Sequence, residues 1–334
     1  MADVRRAVRE TLERFGVQPG DLLLVACSGG ADSLALAAAT QFEGSRAGLR
    51  VGAVIVEHGL QAQTTAVAKA TAAKLAVMGL NPVEVVPVSV GTDGGTEAAA
   101  RDARYQALRA RAAALGARAV LLGHTLNDQA ETVLLGLGRG SGLKSIAGMA
   151  EVTHEPAVTP TTSWLRPLLA IERATTEAFC LDSGLEFWSD PHNADDSFAR
   201  VRVRNSALPA IEAAIGPGVA QALAKTASLV QADLDYLEGQ AQLEIKRIVK
   251  VGATAVTIAV QELEGLHPAI GGRVIHHALG IFGGSPSKIH VDEVLQLVLN
   301  WHGQKELTLP GVRVVRQGDD LTLKSSKTLR PGAC

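Results

Sequence analysis

The chain has 334 residues, 47% hydrophobic and 20% charged, enough apolar side chain to offset the entropy of ordering and enough length for two domains at about 150 residues each, which excludes a disordered polyampholyte. Thirty-two basic against 34 acidic residues leave a formal charge of −2, so the global basic footprint of a nucleic-acid binder is missing. Three cysteines, Cys27, Cys180 and Cys334, have no CxxC spacing; neither a disulfide framework nor a zinc knuckle is indicated, and a cytoplasmic setting is expected.

The opening segment MADVRRAVRETLERFG carries Val4, Val8, Leu12 and Phe15 at helical spacing, which predicts a first amphipathic helix rather than a secretory signal. No apolar run approaches the roughly 18 residues needed to cross a bilayer, so no membrane association is expected. Four continuous apolar runs follow, at 22–27, 51–56, 83–88 and 119–124, separated by helical patterns at 32–42, 62–79 and 96–115. Strands that are apolar throughout are buried on both faces, and helices of that length serve as right-handed crossovers. The predicted fold is therefore α/β, a doubly wound, mostly parallel sheet. Ligands in such sheets gather at the carboxyl ends of the strands, here 28–33, 57–60 and 124–131.

A helix is predicted over 127–137, and Gly136, Gly138, Gly140 and Gly142 with Ser141 predict a loop suited to a flap. Residues 151–163 read as an extended connection and 171–183 as a helix. A polar, basic segment, SDPHNADDSFARVRVRN, precedes Pro209. After GPG at 216–218 comes a long helix over 219–249, in which the domain boundary is placed. The resulting division is a catalytic domain 1–215, a helical linker 216–250 and a small α+β domain 251–334. Residues 301–334 are mildly basic, and with three Trp, two Tyr and six Phe in all any base-stacking platform is small.

The strongest local signal is LLLVACSGGADSLALA at 22–37. Two glycines between an apolar strand and a helix let the backbone turn tightly, and the helix start presents unpaired amides and a positive dipole end, a site for phosphate. Ser28 and Ser33 add hydroxyls. Walker A and GxGxxG patterns are absent. The bland alternative is a capped Gly-rich turn, and Asp32 discriminates: a carboxylate beside phosphate is costly unless a cation such as Mg²⁺ bridges the two. Cys27 reads as a small buried strand residue.

His124 ends the fourth strand, and Asp128 and Glu131, three apart, share one helix face and could hold an amine cation or simply a solvated surface. Glu97, Arg101 and Arg104 recur at helical spacing as a salt-bridged face or as arginines meeting phosphate. Arg200, Arg202 and Arg204 alternate, with Arg166 upstream: a small cationic cluster, or an amphipathic surface strand. Tyr105 reads as core, whereas Trp164 and Trp188 receive no base-stacking role.

SGGADS at this corner resembles the mark of the PP-loop, or N-type, ATP pyrophosphatase superfamily. Further segments resemble one branch of it: EHGLQ at 57–61, TEAAARDARY at 96–105, LGHTLNDQAETVLLGLGRGSGLKSIAGM at 122–149, WLRPLL at 164–169 and DPHNADDSFARVRVRNSALP at 190–209. The resemblance covers 22 to about 215; the tail matches in position and size only. That branch adenylates the wobble cytidine of a CAU-anticodon isoleucine tRNA with ATP and joins free L-lysine to it. The resemblance implies an adenine nucleotide alpha hydrolase-like fold and a tRNA-contacting C-terminal domain. It also implies ATP held by Ser28, Gly29, Gly30, Ala31, Asp32, Ser33, His58 and His124, Mg²⁺ on Asp32, and lysine on Asp128 and Glu131. Asp32, Arg104, Asp128, Glu131 and Arg204 would be catalytic, and Arg166, Arg200, Arg202 and Arg204 would meet tRNA; a homodimer is allowed for. Asn127, Gln61 and Val201 depart from the branch's usual Asp, Arg and Asn. Rival expectations are another PP-loop ligase, such as a thiolase, or a nucleotide-binding module without turnover.

Overall fold

The computed structural model describes residues 1–57, 62–88, 96–140, 142–154, 162–189, 195–282 and 286–326. In chain order the first part contains α1 (Ala2–Phe15), β1 (Leu22–Ala26), α2 (Ala31–Arg46), β2 (Arg50–Glu57), α3 (Ala62–Val77), β3 (Val83–Pro87), α4 (Thr96–Leu115) and β4 (Ala119–Leu122). It continues with α5 (Leu126–Arg139), α6 (Leu143–Ile146), β5 (Val152–His154), β6 (Ser163–Leu165), α7 (Arg173–Asp182), α8 (Ala199–Arg202), a π-helical turn Val203–Ala207, α9 (Leu208–Ile215) and α10 (Val219–Ile248).

β1 is buried at every position because both of its faces are covered. Leu23 and Val25 join one core with Val4 and Val8 of α1 and Leu34 and Leu36 of α2. Leu22, Leu24 and Ala26 join the other, with Leu108 and Ala112 of α4. The two-residue period of a strand thus divides five apolar side chains between two layers of helix, each fully buried one contributing about 1.5–3 kcal/mol of transfer free energy.

The sheet order is β3-β2-β1-β4-β6-β5. β1 pairs parallel with β2 and β4, β2 with β3 and β4 with β6, while β5 runs antiparallel on the edge. From β1 the chain winds outward to β3 and then returns through α4 to β4 on the other side. That reversal between β1 and β4 opens the crevice where doubly wound sheets hold ligands.

Several predicted boundaries change. The fourth strand stops at Leu122. Gly136, expected in a flap, lies buried within α5, where a Cβ would collide with the Ser145 carbonyl; this close packing, not flexibility, is its role. The expected connection over 151–163 supplies β5 and the start of β6, with 155–161 outside the described residues. The stretch around Arg200–Arg204, with its strand-like alternation, is helical and then π-helical.

The chain divides into two compact units, Met1–Gln231 and Ala232–Cys334, within α10. The second unit contains β7 (Val249–Val251), β8 (Ala255–Ala259), α11 (Val260–Glu264), α12 (Pro268–Gly280), α13 (Lys288–Leu299), β9 (Leu307–Leu309), β10 (Val312–Gln317) and β11 (Asp320–Ser325). Its antiparallel sheet has the order β7-β8-β11-β10-β9. One face packs Val256, Ile258, Val314, Leu321 and Leu323 against Val274, Ile275 and Val294 of α12 and α13, and the alternating burial of β8 reflects that one-sided cover. Among the described residues no single helix is long and apolar enough to cross a membrane.

Candidate active site

Between β1 and α2 the backbone turns on Gly29, which has φ +87° and whose added Cβ would sit 2.6 Å from the buried Thr71 hydroxyl oxygen. Both constraints select glycine. Ser33 is buried and braces the loop from within: its hydroxyl donates to the Gly30 carbonyl (2.9 Å) and accepts from the Ser28 amide (3.2 Å). Ser28 itself is exposed, so of the two predicted hydroxyls it is the one turned outward. The Trp188 amide closes the loop from the far side with a 3.0 Å bond to the Gly29 carbonyl. α2 begins without a side-chain cap, leaving the amides of its first turn for an anion.

The second wall comes from β4 and α5. At Gly123 a Cβ would stand 3.2 Å from the backbone of Asp32 and Ser33, so the strand end presses on the first turn of α2 and brings His124 beside the loop. The His124 Nδ1 is buried with no hydrogen-bond partner among the described residues. Burial, reinforced by Arg104, Arg166 and Arg101 against the attraction of Asp128, lowers its pKa from 6.5 to about 3; the ring is neutral at physiological pH.

Asp128 closes a capping box at the head of α5: its Oδ2 accepts from the Thr125 amide (2.8 Å) and hydroxyl (2.9 Å). Its Oδ1 faces Arg173 Nη2 at 3.0 Å and Arg204 Nη2 at 3.6 Å. Burial alone would raise this carboxyl, but Arg173, Thr125 and the neighbouring His124 outweigh it and hold the pKa below the ordinary range. Glu131, one turn on, is fully buried and clasped by Arg204 through Nε (2.6 Å) and Nη2 (3.1 Å), with Arg200 Nε at 3.5 Å and Arg173 Nη1 at 3.9 Å. Asp32 accepts from the Thr176 hydroxyl and faces Arg173 Nε at 3.3 Å. Burial, with Asp128 adding repulsion, raises its carboxyl despite these partners.

The structure thus gathers Asp32, His124, Asp128, Glu131, Arg200 and Arg204 in one crevice. It separates Arg202, which is exposed and donates to the Asp196 and Ser197 carbonyls. Residues 200 and 204 are one helical turn apart and share a face, and 202 points elsewhere. Arg166 is buried beneath the β5–β6 hairpin and donates to the Ala150 carbonyl (2.9 Å) and Thr153 hydroxyl (3.2 Å); it is not an open surface cation. Arg104 has no ion pair among the described residues, and burial lowers its pKa, leaving a planar donor fork free for an anion. Tyr105 packs on Trp164, ring centroids 4.9 Å apart, and Arg101 stacks on Tyr105 at 5.0 Å. His58, Gln61 and the Glu97 side chain lie outside the described residues.

Arg173 and Thr176 escape the sequence reading. A signal for Arg173 was present: it is the first residue of a helix with no acid in its first turn, against the preference of the helix dipole. Asn127, where the resemblance leads one to expect Asp, has an assigned structural task, since its Oδ1 accepts from the Arg173 amide at 2.9 Å. Cys27 and Cys180 are buried, and burial raises both thiols, Cys180 to about 11. For a metal, the described residues offer no cluster of three or more acidic, His or Cys ligands. Asp32, whose neighbouring acids Asp128 and Glu131 are engaged by arginines, fits Mg²⁺ shared with a nucleotide's phosphates and does not fit a protein-only cage.

A glycine-turned strand–loop–helix corner at the switch point of a mostly parallel sheet, beside a neutral histidine and paired acids, is the arrangement of a PP-loop nucleotide-dependent enzyme, and a PP-loop domain family matches residues 2–211. A second family, described as the TilS substrate binding domain, matches 259–322. The chain is 48% identical to the tRNA(Ile)-lysidine synthase of Leifsonia xyli subsp. xyli, over 91% of this chain and 90% of that one. To the enzyme of the same name from Thermobifida fusca it is 47% identical over 98% of each. The chain belongs to the tRNA(Ile)-lysidine synthase family. A U34-tRNA thiolase from Methanococcus maripaludis with its [4Fe-4S] cluster has a similar fold (TM-score 0.58, 18% identity, 69% of this chain and 79% of that one).

Proposed function

We propose that the protein is an ATP-dependent carbon–nitrogen ligase of the cytoplasm that forms lysidine at the wobble cytidine of CAU-anticodon isoleucine tRNA. The observation that supports the reading is that Arg173 spans from Asp32, in the first turn of the uncapped α2, to Asp128 and Glu131 on α5, so that a candidate phosphate site and a candidate amine site lie within reach of one side chain. The amides of α2 and the Ser28 hydroxyl hold the triphosphate, and the cytosine carbonyl oxygen attacks the α phosphate, releasing pyrophosphate. Asp32 would hold Mg²⁺ jointly with the phosphates, and the ion would neutralise charge on the departing pyrophosphate. Arg104 stabilises the anionic centre with its unpaired fork. Asp128 and Glu131 receive the lysine ammonium; one carboxylate of the crevice takes its proton, and the ε-amine then attacks ring carbon 2 and displaces AMP. The arginines of 200–204 and the second unit would meet the tRNA.

The test is incubation with ATP, labelled L-lysine and CAU-anticodon tRNA. The reading requires lysine incorporation matched one for one by AMP and pyrophosphate. Nucleotide binding without pyrophosphate release would instead favour a binding module.

A further inference from the structure

This inference rests on the ligase reading. In the crevice three guanidinium groups, Arg173, Arg200 and Arg204, face three carboxylates, Asp32, Asp128 and Glu131. With all six ionised the cluster is electrically balanced, and the two acids that would receive an ammonium are already engaged. A further cation entering so enclosed a site loses hydration and finds no open counter-charge. Room for it is made when an arginine lets go.

The geometry singles out which one. Arg204 is clasped on Glu131 through two nitrogens, and Arg200 has a second anchor on the Thr132 hydroxyl at 2.7 Å. Arg173 spreads its three nitrogens over three different acids: Nε at 3.3 Å from Asp32, Nη2 at 3.0 Å from Asp128 and Nη1 at 3.9 Å from Glu131. No acid holds it bidentately, and among the described residues it alone of the three arginines reaches both Asp32 on α2 and the Asp128–Glu131 pair on α5. Its Nε end already lies at Asp32, in the first turn of α2 where phosphates would sit. Its backbone is fixed independently by Asn127, so the side chain can swing without moving α7.

We propose that Arg173 couples the two substrates: the phosphates of a bound nucleotide draw its guanidinium toward α2 and away from Asp128 and Glu131, opening that pair to the ammonium of lysine. Arg173 is then a positioning residue that makes nucleotide and lysine bind with positive cooperativity.

The experiment is calorimetric titration of L-lysine into the full chain in magnesium buffer, alone and saturated with α,β-methylene ATP, for wild type, R173Q and R173K. In the wild type the analogue should tighten lysine at least about fivefold, the lower end of ordinary coupling. R173Q, with the acid pair already vacated, should bind lysine without nucleotide more tightly than wild type does and lose most of the nucleotide dependence. R173K, which keeps the charge but not the three-way fork, should lie between and stands in should R173Q fold poorly. Lysine binding indifferent to the analogue in the wild type, or full coupling retained in a folded variant, overturns the inference and leaves the ligase reading intact. Nucleotide binding with no lysine binding in either state overturns both.

Discussion

Replacing Glu131 by Gln removes the only fully buried carboxylate of the crevice, at 0% side-chain exposure, and strands the Arg204 fork and Arg200 Nε. Removing one partner of a buried pair costs about 3–5 kcal/mol. Here Arg204 and Arg200 keep 27% and 29% of their side-chain surface, and the water they recruit lowers the cost to about 2–3 kcal/mol. At roughly 2–4 °C per kcal/mol for a unit of this size, the midpoint of thermal unfolding should fall by about 4–12 °C. The assay is a double-mutant cycle of urea and thermal melts on wild type, E131Q, R204Q and the double variant. If the pair acts as the distances imply, the double variant is more stable than the sum of the singles by about 1–3 kcal/mol. Additivity within about 0.5 kcal/mol would show that the clasp contributes nothing and would refute the reasoning.

Acid should expose His124. Its native pKa of about 3 lies below the ordinary 6.5, so between those values the unfolded chain binds the proton and the native one does not, and stability falls with falling pH by up to about 1.4 kcal/mol per unit. H124N should flatten that slope by close to one proton in urea melts at pH 6.5, 5.5 and 4.5; an unchanged slope contradicts the assignment. Asp128 has the same sign in a lower window: its lowered pKa contributes stability that is complete above the ordinary carboxylate pKa and is lost as pH falls through the lowered one. Gly29→Ala must take a left-handed φ and meet Thr71, which predicts a loss of about 1–2 kcal/mol and of nucleotide binding by fluorescence titration. Asp32→Asn removes a charge that burial already disfavours, so its melt should move little while pyrophosphate release, followed with labelled ATP, disappears.

What could be read in the linear chain was what is local. Apolar runs free of alternation announced strands covered on both faces, and 28–33 announced a tight strand-to-helix turn because its glycines, hydroxyl brace and helix start are local; the fold class and family followed. The arginines at 200, 202 and 204 show the limit. Spacing alone allowed a strand, and the structure instead forms α8 and a π-helical turn that put Arg200 and Arg204 on the acids and Arg202 outside.

Tertiary closure alone decided the pairing of charges. Arg173 meets Asp32 from 141 positions away, Arg204 meets Glu131 from 73, and Thr176 meets Asp32 from 144. A residue's sign and size are written in the sequence. Its partner is chosen by which strand ends and helix heads the packed sheet brings to one crevice, where low polarity turns a few ångströms of separation into the difference between a solvated surface charge and a buried ion pair.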